Sequence, residues 1–339
     1  MAKRVRAARH YQRRDSQVRL LAVHAMPGLA RDFRGALGHL GNLVPTERAL
    51  GFARAGDWAA LKAHISWGHY REILKAPFSR IGKLRQAGGE LGAKKINGSF
   101  AQANRRVRFG KISEDSVLSW EGIPSHGDVA PLEKAIGDRF NFDTFDAKTL
   151  ARLRREQDRL ITSMETSARD SIDAIISSAA ITGLGPEEIV SDIRELIGLN
   201  DRQALAVLNY QNNLYDQGYD QSDIERLVGG YTDRSLDYRA EMIARTESSR
   251  AVNSGLQDSY RQAIERGALP SEAIRQFWIL GDNPCPICES IPDNNPDGIE
   301  IGDTFDSDAG PVESPPLHPN CFCEIEVITD LDKVPDSEE

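Results

Sequence analysis

The four cysteines of this chain fall into two close pairs, Cys285-Pro-Ile-Cys288 and Cys321-Phe-Cys323, and His318 stands three residues before the second pair. A Cys-x-x-Cys turn aims two thiolates at a common centre, which is half of a tetrahedral zinc site. Residues two apart on a strand face the same way, so Cys321 and Cys323 can supply the other half. His318 can equally replace one of them. Five candidates (Cys285, Cys288, His318, Cys321, Cys323) thus compete for four positions, and spacing does not choose among them. The competing chemistries are disulfides or four buried free thiols. Every cysteine clustering beside a histidine, in a chain that shows no export signal, favours metal. Catalytic zinc keeps three protein ligands, an open water position and a nearby base. Asp282 and Glu289 are close in sequence but do not by themselves build that arrangement. The expected role is a structural Zn2+ that ties the strand around Trp278 to the last strand. The intervening loop, with Gly298, Gly302 and Gly310, is expected to have little else to hold it down.

A second set of polar residues sits on a helical pattern that runs to Gly267. Arg245 and Glu247 are two apart and face different sides of a helix, whereas Glu247 and Arg250 are spaced to pair. Arg250, Asn253 and Gln257 follow one another up one side. The reading is a structural polar network (Arg245, Glu247, Arg250, Asn253) that bridges this helix to the metal-tied strands. The rival is an active-site Arg/Glu pair of the kind ADP-ribosyltransferases use on a dinucleotide. Neither a Rossmann glycine pattern nor a Gly-Lys-Ser/Thr phosphate loop is present in the sequence to support it.

The elements that must position these residues are mostly helices. Residues 46–87 read as helical, with Asp57 capping a segment in which Trp58, Leu61 and Ile65 share a face, and Pro77 ending or dividing it. Trp58, Trp67, His69 and Tyr70 suit base stacking but, at helical spacing, suit a core better. Residues 88–111 are rich in Gly, Lys and Arg, with Asn97-Gly98 as a turn signal. Residues 112–146 read as a linker. From 147 to 181, Leu150, Leu153, Leu160, Met164, Ile172, Ile175 and Ile176 follow one helical stripe. Gly183 and Gly185 stop it, and Pro186 opens a helix with Ile189, Val190, Ile193 and Leu196 on its buried face, closed by Gly198. Further helices are expected at 201–216, 220–228 and 235–266, and strands at 274–280, 299–305 and 323–328. The end of the chain, 329–339, reads as an acidic tail.

Charge is distributed unevenly. Residues 1–111 carry 23 Lys+Arg against 6 Asp+Glu, or +17, and the remainder carries 19 against 45, or −26. A basic end on an acidic body fits contact with nucleic acid or an acidic protein surface. The alternative is that the two halves attract each other. Arg4, Arg6, Arg9, Arg13, Arg14, Arg105, Arg106 and Arg108 are the expected partner-binding residues. The apolar run at Leu20 is interrupted by His24 and ends at Pro27, which does not suit a signal peptide, and no stretch of 18 apolar residues predicts a membrane helix. Assembly in a cytoplasm is the expectation.

The order of motifs resembles one family. Ala244-Arg-Thr-Glu-Ser-Ser-Arg-Ala-Val-Asn-Ser-Gly255 is followed by Tyr260, Gly267, Trp278, Asp282, Cys-Pro-Ile-Cys and Pro-Pro-Leu-His-Pro-Asn-Cys-Phe-Cys. This series is similar to the phage head-morphogenesis family that includes the F protein of phage Mu and similar minor head proteins. The resemblance covers residues 145–328 and is sharpest over 243–323. The family usually has Arg where this chain has Phe322. The resemblance implies a low-copy, non-catalytic head component at the portal vertex of a virion. It implies the portal protein and the major capsid protein as partners, and a part in head assembly or DNA delivery. Packaged DNA is a further expected partner, through the basic N-terminal region, since its phosphates reward Lys and Arg by counterion release.

The expected architecture is mainly α with a C-terminal α+β module, a helical body packed against a small β-sheet stapled by zinc. The expected divisions are a basic helical region at 1–111, a linker at 112–146, a head-morphogenesis domain at 147–328 with its zinc region at 274–328, and the tail. The alternatives are a phage-borne ADP-ribosyltransferase-like or zinc-dependent enzyme, and a nucleic-acid-binding zinc module. Against the last stands the acidity of the zinc region (Asp282, Glu289, Asp293, Asp297, Glu300, Asp303, Asp306, Asp308).

Overall fold

Helical periodicity over most of the chain becomes helix in the computed structural model, which describes residues 16–109 and 140–330, with the backbone alone over 100–109. The helices are α1 (Gln17–Gly38), α2 (Thr46–Arg54), α3 (Trp58–His64), α4 (Tyr70–Ile73), α5 (Lys75–Phe109), α6 (Ala147–Thr182), α7 (Pro186–Leu196), α8 (Asp201–Asp216), α9 (Gln221–Glu265) and α10 (Pro286–Asn294). Two strands, β1 (Ile274–Ile279) and β2 (Glu324–Thr329), pair antiparallel with Ile274 opposite Thr329 and Ile279 opposite Glu324. The mainly helical class with a small sheet is therefore observed. No described helix is long and apolar enough to cross a membrane.

The chain divides into two units that interleave along the sequence. One comprises Met1–Ala22, Leu84–Asp146 and Ser249–Glu339, the other Val23–Lys83 and Ala147–Ser248. Helices α1, α5 and α9 each contribute to both.

In the second unit, the predicted stripe of α6 is the buried one. Leu160, Met164, Ile172 and Ile175 are buried, with Leu150, Leu153 and Ile176 at its margin. Helices α7 and α8 pack against α6, and α2 packs on α7. The local signals operate as expected. Asp57 caps α3 by accepting from the Ala60 N–H at 2.9 Å, and Pro186 opens α7. Asn200 and Gln203 form a reciprocal cap at the start of α8. Arg239 of α9 lies buried and donates to the Gly198 carbonyl at 3.0 Å, and burial brings its pKa down to about 10.

Several boundaries differ, each for a physical reason. Pro77 does not end a helix; it lies in the first turn of α5, where a missing N–H breaks no helical bond. Pro27 lies inside α1, whose Leu29, Phe33 and Leu37 are buried, so the run from Leu20 continues instead of stopping. The two helices expected at 220–228 and 235–266 are one, because α9 runs through Gly229-Gly230. Two interior glycines weaken a helix by about 1 kcal/mol each, less than the burial of Leu236, Ala240 and Ala244 offsets.

The largest departure is at 88–111. The Gly-rich segment is not a turn region but the middle of α5, and its glycines mark where α5 meets the end of α9 in the first unit. A Cβ on Gly255 would stand 2.0 Å from the Arg85 carbonyl oxygen, and one on Gly88 would stand 2.4 Å from that of Val252. Only glycine permits this approach. Asn97, expected in a turn, instead donates to the Phe140 carbonyl and accepts from the Phe140 N–H, both at 3.1 Å. Residues 140–146 are accordingly packed rather than linking: Phe140 is buried, and the Asp143 N–H donates to Gln262 at 2.9 Å. Gly255→Ala is expected to destabilise the chain by about 2 kcal/mol. The clash with backbone outweighs the gain of about 1 kcal/mol in helix propensity. A urea midpoint at or above wild type would contradict the close crossing.

Part of the charge asymmetry is paired within each unit. Arg34 meets Asp233 and Asp237, Arg54 meets Glu187, Lys62 meets Asp173, Arg71 meets Asp158, and Arg19 meets Asp282. These five bases of the basic part are matched against acids of the part that follows it.

One carboxyl is under strain from its own helix. Asp192 on α7 is half-buried, and burial followed by the neighbouring charges of Glu195 and Glu188 raises its pKa from 3.8 to about 7. Between those values the folded chain holds a proton that the unfolded chain has released. Stability is therefore full below pH 4 and falls as pH rises through 7. Asp192→Asn should add about 2 kcal/mol at pH 8 and almost nothing near pH 4, a difference that urea titrations at the two pH values resolve.

Candidate metal centre

The site is assembled by the two limbs that leave the sheet. After β1 the chain passes Gly281, where a Cβ would stand 2.6 Å from the Phe322 carbonyl oxygen, and turns at Asn283, which has φ 52°. This delivers Cys285 to the N-cap of α10, with Pro286 at the first helical position and Cys288 inside the first turn. The second limb turns at Asn320, φ 68°, with the Cys321 N–H donating to the His318 carbonyl at 3.3 Å. Cys323 is the last residue before β2, so the 321–323 pair stands just outside the strand that sequence placed at 323–328.

All five predicted residues converge. The Cys285 and Cys288 sulfurs lie 3.1 and 3.4 Å from His318 Nε2, and the Cys288 and Cys321 sulfurs are 3.9 Å apart. Two overlapping triads, Cys285–Cys288–His318 and Cys288–Cys321–Cys323, each place their ligand atoms within 4.8 Å of one another, and Cys288 belongs to both. Metal–sulfur bonds of about 2.3 Å and metal–nitrogen bonds of about 2.0 Å give a tetrahedron edges of about 3.8 Å and 3.5 Å. The observed separations are close to those edges. The thiols are free, and the Cys288–Cys321 gap is nearly double a disulfide bond.

His318 Nδ1 lies 2.8 Å from the Pro319 carbonyl, an acceptor, so Nδ1 carries a proton and Nε2 faces the sulfurs. Burial opposes the charged ring, but the Pro319 carbonyl and the Cys321 and Cys285 sulfurs raise its pKa above the usual value. Burial opposes ionisation of Cys285, yet the N–H of Cys288 and contacts at the start of α10 bring its pKa below the usual thiol value. Cys321 is pulled far down by hydrogen bonds from the thiols of Cys288 and Cys323, while Cys288 is pushed up by the same contacts. Ionisation is thus favoured at Cys285 and Cys321 and opposed at Cys288 and Cys323. Such a donor set can hold a metal ion.

The loop between the limbs is better held than its glycines suggested. No continuous strand forms at 299–305; Ile299 bridges to Gln276, and Phe305 bridges to Val312. Phe305 is fully buried against Trp278, ring centroids 5.4 Å apart, and Asn295 bonds both the N–H and the carbonyl of Asp306.

The polar network on α9 divides. Asn253 is fully buried, donates to Ser249 O, and accepts from the Ile325 N–H of β2 at 3.0 Å. Ser249 and Gln257 add bonds to the Cys323 carbonyl and to the Gln276 side chain. These three join α9 to both strands. Glu247 lies in the other unit, buried, and receives Arg159 at 3.4 Å, with Arg245 and Arg250 half-buried nearby in sequence. Gln257 was read on this side of the helix, whereas Ser249 and Gln276 were missed as connectors at the sequence level, where their spacing does not mark them. Arg4, Arg6, Arg9, Arg13 and Arg14 lie outside the described residues, as do 110–139 and 331–339, which include most of the expected linker and tail. Arg105, Arg106 and Arg108 fall at the end of α5, where the backbone alone is described.

Compared with known proteins, the chain matches no family model, no curated protein and no solved structure.

Proposed function

We propose that this chain is a minor capsid protein of a tailed bacteriophage, seated at the portal vertex, and that its Cys/His cluster holds one structural Zn2+. The observation that carries the reading is a conjunction. Parts of the chain that resemble the head-morphogenesis family and are far apart in sequence are joined by hydrogen bonds: Ser249, Asn253 and Gln257 are bonded to the strands and backbone that bear the cysteines. Thiolate with imidazole at near-tetrahedral spacing suits zinc above the harder divalent ions. The ligands come from Cys285, Cys288, His318, Cys321 and Cys323, with Cys288 common to both triads.

The role is assembly without turnover. Portal and major capsid proteins are the partners, and packaged DNA contacts the basic N-terminal residues. The deciding experiment is quantitative mass spectrometry of purified, nuclease-treated particles of the phage that encodes the chain. A few to a dozen copies per particle, counted against the portal protein, support the reading. Absence from mature particles removes the virion role and turns attention to labelling of a host lysate with NAD.

A further inference from the structure

Four sulfurs meet at the metal centre, and one of them is open to solvent. Cys285 is half-buried, whereas Cys288, Cys321 and Cys323 are at most 2% exposed. Cys285 stands at the N-cap of α10, with the buried Cys288 three residues on in the first turn. Ile287 between them is 40% exposed, so this end of α10 faces outward. The Cys285 and Cys288 sulfurs lie within 4.8 Å of each other, and both thiols are free. An accessible sulfur with a buried second sulfur beside it is the arrangement in which the first is oxidised and the second resolves it.

We infer that the Cys285–Cys288 pair makes the metal centre redox-sensitive: a hydroperoxide converts the pair to a disulfide, and the centre then releases its ion. The inference rests on the metal reading above. The Cys285 thiolate attacks one peroxide oxygen; an S–O bond forms, the O–O bond breaks, and hydroxide leaves. The Cys288 thiolate then attacks the Cys285 sulfur; the S–S bond forms, the S–O bond breaks, and a second hydroxide leaves. Each sulfur gives up one electron and the peroxide takes both. Solvent supplies the two protons that turn the hydroxides into water.

The donor count explains the release. Five donors are available for four positions, so the loss of one leaves a full set. Oxidation of the pair removes two and leaves His318, Cys321 and Cys323. It also removes the donor common to both triads, so neither triad stays whole. A sulfur must be anionic to hold the ion, and a disulfide sulfur carries no charge. The new bond does not replace the staple. It joins residues three apart on the first limb, whereas the metal joins that limb to the one that bears His318. The oxidised chain therefore keeps the start of α10 cross-linked while the 316–323 limb comes free of it.

The test uses the full chain, reduced and loaded with Zn2+, and a modest excess of hydrogen peroxide. A chromogenic chelator should read release of the ion at least about tenfold faster than without peroxide. Alkylation and mass mapping should find Cys285 joined to Cys288, with Cys321 and Cys323 free. Dimedone, which traps sulfenic acids, should label Cys285 before any other cysteine, and hydrogen exchange should rise over 316–323. Dithiothreitol should restore zinc uptake. An ion held through complete peroxide treatment overturns the proposal and leaves the metal reading standing. A disulfide between Cys288 and Cys321, or first labelling at a buried cysteine, overturns the assigned pair. A reduced chain that takes up no zinc overturns the metal reading and this proposal together.

Discussion

Cys288→Ser is expected to empty the metal centre and loosen the unit that carries it, leaving the other unit folded. Cys288 is fully buried and is the one residue shared by both ligand triads, so its loss removes an edge from each. A serine hydroxyl is a poor ligand for a soft site, and no solvent is at hand to fill the gap. With free zinc at about a thousand times its dissociation constant, the ion stabilises the native chain by about 4 kcal/mol, and that contribution disappears. The loss should be local. Phe305 against Trp278, and Asn295 bonded to Asp306, hold part of the 299–312 loop without metal, so protease sites should open around 281–290 and 316–323 before they open around Phe305. Metal analysis should read close to one ion per chain in wild type and below about one tenth in the variant. Cys321→Ser and Cys323→Ser, compared for metal content, identify which of the two completes the ligand set. A Cys288→Ser chain with full metal content and unchanged protease resistance would falsify the staple.

Asp258→Ala is expected to be as damaging without touching the metal. Asp258 is fully buried and Arg85 is 3% exposed, with Arg85 Nε and Nη2 at 2.8 and 2.7 Å from one carboxylate oxygen. Arg261 approaches the other oxygen at 3.6 Å. Removing the carboxylate leaves a guanidinium sealed between α5 and α9 with its main counter-charge gone, which costs about 3–5 kcal/mol. The pair itself is worth far less than that, because desolvating both ions offsets most of their attraction. The double variant Arg85→Met/Asp258→Leu should therefore recover most of the loss. Urea denaturation of the two variants distinguishes the cost of an orphaned charge from the worth of the pair. If the single variant lost less than about 1 kcal/mol, the burial of this pair would be in doubt.

How much was legible beforehand depended on whether the signal was local. The stripe on α6, the Asp57 and Pro186 starts, and the Gly183 and Gly267 stops, which take φ of 75° and 70°, rest on periodicity and caps that a few neighbouring residues define. The Cys/His cluster was legible because few residue types ligate metal, and the pairs carry their own turn geometry. Residue types and order therefore determined the mainly helical class and the five-residue cluster.

Tertiary structure decided what those local signals left open. Gly88 and Gly92 read as loop residues because glycine weakens an isolated helix, and Gly255 read as one more helical residue; only the facing helix shows that all three let two helices touch. Asn97-Gly98 has the composition of a turn, and Phe140, more than forty residues away, is what occupies its amide. The sequence left open whether its basic part meets a partner or its own acidic half; for Arg34, Arg54, Lys62 and Arg71 the fold supplies Asp233, Asp237, Glu187, Asp173 and Asp158. In each case the local preference is worth about 1 kcal/mol, and burial, close packing or a buried charge outweighs it. Burial, packing and charge pairing depend on residues that only folding brings together, so their effects could not be read from spacing along the chain.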